Sequence, residues 1–172
     1  MLDRLPIFID PLKLSEKGKT LLGTVEISEL TRLSDILLDK TGKVEVDCSF
    51  DKEGRTPTIQ GEIKANFKLM CQSCSKPMDW IVKHGFRLGV VLSLEQADNL
   101  SSDLEPLLIE NDKVSTVELV EDELLLALPD FPRHEQACVE SNETLSTTEI
   151  NNEQINSNNP FSVLAKLKNT GE

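Results

Sequence analysis

Tyrosine is absent from this 172-residue chain, histidine occurs twice and aromatic residues make up 4% of it. A single-strand RNA platform needs aromatic faces on which bases can stack, so that mode of binding is not expected. The aromatic residues Phe50, Phe67, Trp80 and Phe86 fall instead on core-facing phases of apolar patterns. Two histidines and no tyrosine leave little general-base equipment. No Gly-rich phosphate loop and no Gly-x-Ser-x-Gly elbow occurs. The sequence therefore reads as that of a non-enzyme. Cations are also scarce, with 18 Lys and Arg against 30 Asp and Glu and a net charge of -12. A broad phosphate clamp needs clustered Lys and Arg, which argues against DNA and favours basic protein partners. No apolar run approaches the length of a membrane-crossing helix. The first residues lack the charged-then-apolar pattern of a secretion signal. The expected location is the cytoplasm, where the four cysteines stay reduced.

Hydrophobic residues are 38% of the chain, few enough that part of it is expected to be disordered. Residues 139–158 are rich in Ser, Thr, Asn and Glu and contain no Lys or Arg. Such a stretch buries too little apolar area to offset chain entropy, so it reads as a disordered acidic linker. Residues 1–138 then form one α+β domain, and residues 159–172 a short C-terminal helical motif. Asn159 as N-cap and Pro160 at the first helical position signal that helix, with Phe161, Leu164 and Ala165 following at helical spacing.

Within the domain, Leu5 to Ile9 reads as a strand closed by an Asp10-Pro11 turn, and Leu21 to Val25 as another. Ser28 is a fitting cap for a helix carrying Leu30, Leu33, Leu37 and Leu38. Three alternating runs follow. Val44, Val46, Cys48 and Phe50 share one face, as do Ile63, Ala65, Phe67 and Leu69. The third face carries Trp80, Val82, His84, Phe86, Leu88 and Val90. A period of two marks half-buried strands, and an antiparallel meander, open or barrel-like, is the simplest assembly. Cys48 and His84 are placed with the core by their phase. Glu105 to Ile109 is a short edge strand, and Leu94 to Ser102 a polar connection. Ser115 and Glu118 form a capping-box pattern before a helix whose stripe is Val117, Val120, Leu124, Ala127 and Leu128. That helix is expected to cover the sheet and to stop at Pro129.

The connection between the second and third alternating runs is "CQSCSKP", residues 71–77. Cys71 and Cys74 supply two zinc ligands from one tight turn, and His134 and Cys138 offer a second, looser pair about sixty residues on. Together they would make a closed Cys3His site for one structural zinc ion. Two rival readings stand beside it: a pair of plain reduced thiols, and a redox pair. A redox pair usually occupies a helix N-terminus, and here the cysteines stand between strands. Glu121, Asp122 and Glu123 form a carboxylate run on the last helix, read as a solvated face or a contact for a basic partner. The best local basic patch is Lys64, Lys68, Lys76, Lys83 and Arg87, the basis of an alternative in which the chain binds RNA directly through a zinc-knuckle-like tip.

Four motifs in order carry a resemblance: "LPIFIDPLKL", "CQSCSKP", "LVEDELLLALPDFPRH" with the later Cys138, and "NPFSVLAKLK". The series resembles the bacterial YceD family, the large ribosomal RNA subunit accumulation proteins. The resemblance implies a cytoplasmic non-enzyme supporting synthesis, processing or stability of 23S ribosomal RNA. It implies as partners a basic ribosomal protein or a ribosome maturation factor, and 23S RNA directly or indirectly. It carries the family's positions over to Cys71 and Cys74, to Glu121, Asp122 and Glu123, and to Asn159, Pro160 and Phe161. Many relatives hold a fuller second cysteine cluster after the helix, where this chain has His134 and Cys138.

Overall fold

The computed structural model describes residues 3–135 and residue 138. The linker and terminal helix expected at 139–158 and 159–172 lie outside them. A short strand β1 (Phe8–Ile9) leads into helix α1 (Pro11–Glu16), then strand β2 (Thr20–Glu26). The long strands β3 (Lys43–Glu53), β4 (Thr56–Met70) and β5 (Pro77–Val91) follow. Helix α2 (Leu94–Asp98), β6 (Glu105–Leu108), β7 (Val114–Ser115) and helix α3 (Thr116–Ala127) complete the described elements.

The main sheet has the order β2-β3-β4-β5-β6 and is open, not closed into a barrel. It is antiparallel through β5, as the alternating runs require, and β6 joins in parallel. The parallel step arises because the chain crosses back through α2 before pairing again. One face is packed. Val44, Val46, Cys48 and Phe50 of β3 and Ile59, Ile63, Ala65, Phe67 and Leu69 of β4 alternate as buried residues with exposed neighbours. In β5 Met78, Val82, Phe86 and Leu88 continue the layer. Gly61 faces Phe86, and a Cβ there would stand 2.5 Å from the ring, so glycine is what lets the phenylalanine lie flat on the sheet. A two-stranded sheet of β1 and β7 anchors the start of α3 beside the N-terminal segment.

Helix α3 covers the packed face as expected. Ser115 caps it by accepting the Glu118 N–H, Val120 and Leu124 are fully buried, and Pro129 follows the last turn. Three other expectations need correction. The helix foreseen after Ser28 is replaced by two 3-10 turns, Ile27–Glu29 and Leu33–Asp35. Its leucines still reach the core, with Leu30, Leu33 and Leu37 buried, while Leu38 is exposed and its N–H pairs with the Lys68 carbonyl. The helix fails because the Arg32 and Leu33 amides are taken by the Glu121 carboxylate rather than by carbonyls four residues back. The strand foreseen over Leu5 to Ile9 shrinks to Phe8–Ile9, and Asp10-Pro11 starts a helix. Asp10 accepts the Lys13 N–H as N-cap and proline takes the first helical position, where its missing N–H costs nothing. The connection after β5 likewise holds a short helix, capped by Ser93.

Candidate metal centre

The β4–β5 connection is a tight knuckle. The Cys71 N–H donates to the Lys76 carbonyl at 2.9 Å, and the Ser75 N–H returns to the Cys71 carbonyl at 2.9 Å. Ser75 has φ of +55°, the left-handed turn that brings the chain back into β5. A third bond crosses to the segment after α3: the Gln72 N–H donates to the Pro132 carbonyl at 2.8 Å. That clip holds His134 beside the knuckle.

The result gathers one ligand atom each from Cys71, Cys74, His134 and Cys138 within 4.8 Å of one another. Cys71 Sγ lies 3.7 Å from Cys138 Sγ, and Cys74 Sγ lies 3.6 Å from His134 Nδ1. Zn–S bonds of about 2.3 Å and Zn–N bonds of about 2.0–2.1 Å, set tetrahedrally, separate ligand atoms by roughly 3.6–3.8 Å. The sulfurs are also too far apart for a disulfide bond of about 2.05 Å, and all four cysteines are free. Three thiols and one imidazole, closing on one point with no fifth donor among the described residues, therefore fit a structural zinc ion. Burial works to raise the Cys71 thiol, but backbone N–H groups of His134, Cys74 and Ser73 outweigh it and bring the pKa down to about 5. Cys138 is shifted upward by desolvation and by the two neighbouring sulfurs. Backbone N–H groups that favour the thiolate form of Cys71 suit metal binding. Cys48 stands apart in the core, where burial pushes it up to about 12 and makes it inert.

Of the carboxylate run read as a solvated face or a contact for a basic partner, two members are buried. Glu121 and Glu123 are 3% and 4% exposed, and only Asp122 faces out. Glu121 accepts the Arg32 and Leu33 amides at 2.7 and 3.2 Å and the Arg32 Nε at 3.0 Å. Asp122 pairs with the same guanidinium at 2.7 Å. Glu123 meets His84 Nε2 at 3.1 Å. The physical reason is periodicity: positions 121 and 124 share a flank with the buried stripe, and 123 falls beside 120 on the other flank. The pairings of Arg32 with Glu121 and of His84 with Glu123 escaped the sequence reading, because each residue is separated from its partner by dozens of residues and no local spacing announces the pair. Of the basic patch, Lys64 and Lys83 both pair with Glu62, and Arg87 pairs with Glu53 and Asp103. The patch is thus interleaved with carboxylates. Asn159, Pro160 and Phe161 lie outside the described residues.

No helix among the described residues is long and apolar enough to cross a membrane. The fold and the centre together define an α+β protein in which a Cys3His cluster gathers residues from the tip of a β-hairpin and from the segment after a covering helix. The sequence profile of the family described as "Large ribosomal RNA subunit accumulation protein YceD" matches residues 59–168, and the chain belongs to that family. A Haemophilus influenzae protein named "Large ribosomal RNA subunit accumulation protein YceD" is 29% identical over 168 residues, covering 96% of this chain and 97% of that protein. No solved structure matches the chain.

Proposed function

We propose that this protein is a non-catalytic ribosome-biogenesis factor of the cytoplasm that sustains the accumulation of 23S ribosomal RNA through protein contacts. Family membership carries this reading. Its acidic balance supports the choice of contact: with a net charge of -12 and with Lys64, Lys83 and Arg87 of its basic patch paired to carboxylates, the chain suits a basic ribosomal protein or maturation factor better than bare RNA. Cys71, Cys74, His134 and Cys138 hold one zinc ion with a structural role, fastening the segment after α3 to the β4–β5 tip. Residues 159–172 act as a docking helix around Asn159, Pro160 and Phe161, joined to the domain by the linker 139–158.

Cells depleted of the protein test the function through the ratio of large- to small-subunit ribosomal RNA. The ratio should fall and be restored by the wild-type gene. An unchanged ratio refutes the reading. Capture of protein-free 23S RNA at physiological salt would refute the protein-contact mechanism while leaving the biogenesis role standing. Metal analysis of the purified chain should give one zinc per molecule, lost when Cys71 and Cys74 are both changed to Ser.

A further inference from the structure

Strand β5 is paired unequally on its two sides. β4 runs beside it from Pro77 to Gly89, but β6 pairs only with Leu88–Val91. From Met78 to Arg87 its second edge has no strand partner among the described residues. A long open edge is a template for another strand, and proteins usually guard it with charged side chains, proline, a bulge or a cover; this one carries Asp79, Lys83 and Arg87. This edge has no proline beyond Pro77 at its start, and Ile81, at its middle, is 80% exposed on the solvated face of the sheet. Beside Pro77–Ile81 lies an open recess of about 600 Å³, lined also by His134 and Glu135.

We infer that two copies of this chain associate by antiparallel pairing of their β5 edges, with the two-fold axis at Ile81. Among axes placed at residues of the solvated face, charge selects this register. An axis at Ile81 sets Asp79 of each copy opposite Lys83 of the other and packs the two isoleucines together on the same face. An axis at Lys83 or at Asp79 would oppose like charges. The side chain of Lys83 is largely exposed and held only by an ion pair to Glu62 at 3.2 Å, so it is free to turn across the seam. The recess receives residues 81–85 of the second copy, and its acidic walls, Asp79 and Glu135, meet the incoming lysine. Such a contact is isologous and closes on itself, which leaves no further edge for growth at this site. The shared strand is short, so the dimer dissociates on dilution.

Sedimentation velocity of the full chain in reducing buffer, over a dilution series, tests this. The 19.2 kDa mass should double at the concentrated end. Ile81→Glu should abolish the doubling and, being a surface change, leave the thermal unfolding curve in place. Asp79→Lys alone and Lys83→Asp alone each create two like-charge contacts and should weaken association about tenfold. The double variant Asp79→Lys, Lys83→Asp should recover it. A monomer at every concentration overturns the inference. So does a dimer indifferent to Ile81→Glu, and so does a double variant no better than the single ones.

Discussion

Glu121 and Glu123 lie two residues apart on α3 and are equally buried, yet one is saturated and the other is not. On the Glu121 flank the carboxylate gathers two backbone amides and one guanidinium N–H, and so shapes the 31–35 loop. On the Glu123 flank a single imidazole answers the charge. Burial, the nearby Glu105 and Asp122 raise the Glu123 pKa, against the lowering pull of His84. The difference teaches that burial of a charge by itself says little about stability. What matters is how many donors come with it and whether they have anywhere else to go.

The largest test of this contrast is Glu121→Ala. It strands the Arg32 and Leu33 amides beneath the helix and should cost about 3 kcal/mol in urea unfolding. Arg32→Ala sharpens the same flank. It removes the guanidinium but keeps both amide bonds to Glu121, so it should cost only about 1 kcal/mol. If the two losses are equal, the guanidinium and not the amides secures the loop.

On the other flank, Glu123→Gln should stay within about 1 kcal/mol of wild type at neutral pH, because a weakly compensated charge is removed. Its signature is pH dependence. A carboxyl with a native pKa above the unfolded one binds more protons in the folded state across the interval between them. Its contribution is fully present below the ordinary glutamate value of 4.5 and fades as pH rises through the native value. The wild type should therefore show a downward stability slope above pH 4.5 that unfolding curves of Glu123→Gln lack. The smallest effect belongs to Asp122→Asn. That residue is exposed and pairs at the surface, so its loss should change stability by less than about 0.5 kcal/mol.

Legibility followed the range of the interactions. The alternation in β3, β4 and β5 and the stripe of α3 could be read directly, since one covered face imposes its period on the residues facing it. The four candidate ligands were legible as residue types at workable spacing. Their approach to within 4.8 Å was not, because it depends on the Gln72–Pro132 clip between segments sixty residues apart. The leucines at 30, 33 and 37 were assigned correctly to the core and wrongly to a helix. Helical spacing over so short a run also suits a folded loop when a distant carboxylate takes the amides. Asp10-Pro11 held a helix start in plain view, but the same pair also starts turns, and only the cap bond to Lys13 separates the two.

Sequence by itself determined the elements whose stabilising contacts repeat locally: the three long strands, the capped helix and the tight cysteine turn. It also determined the acidic balance, which depends on composition alone. Tertiary structure decided the fate of each charged and polar group. It turned an acidic run into two interior anchors and one surface residue, and among the described residues it left one edge of β5 without a strand partner from Met78 to Arg87. Those outcomes depend on which distant donor or strand reaches a position first, and no local period records that.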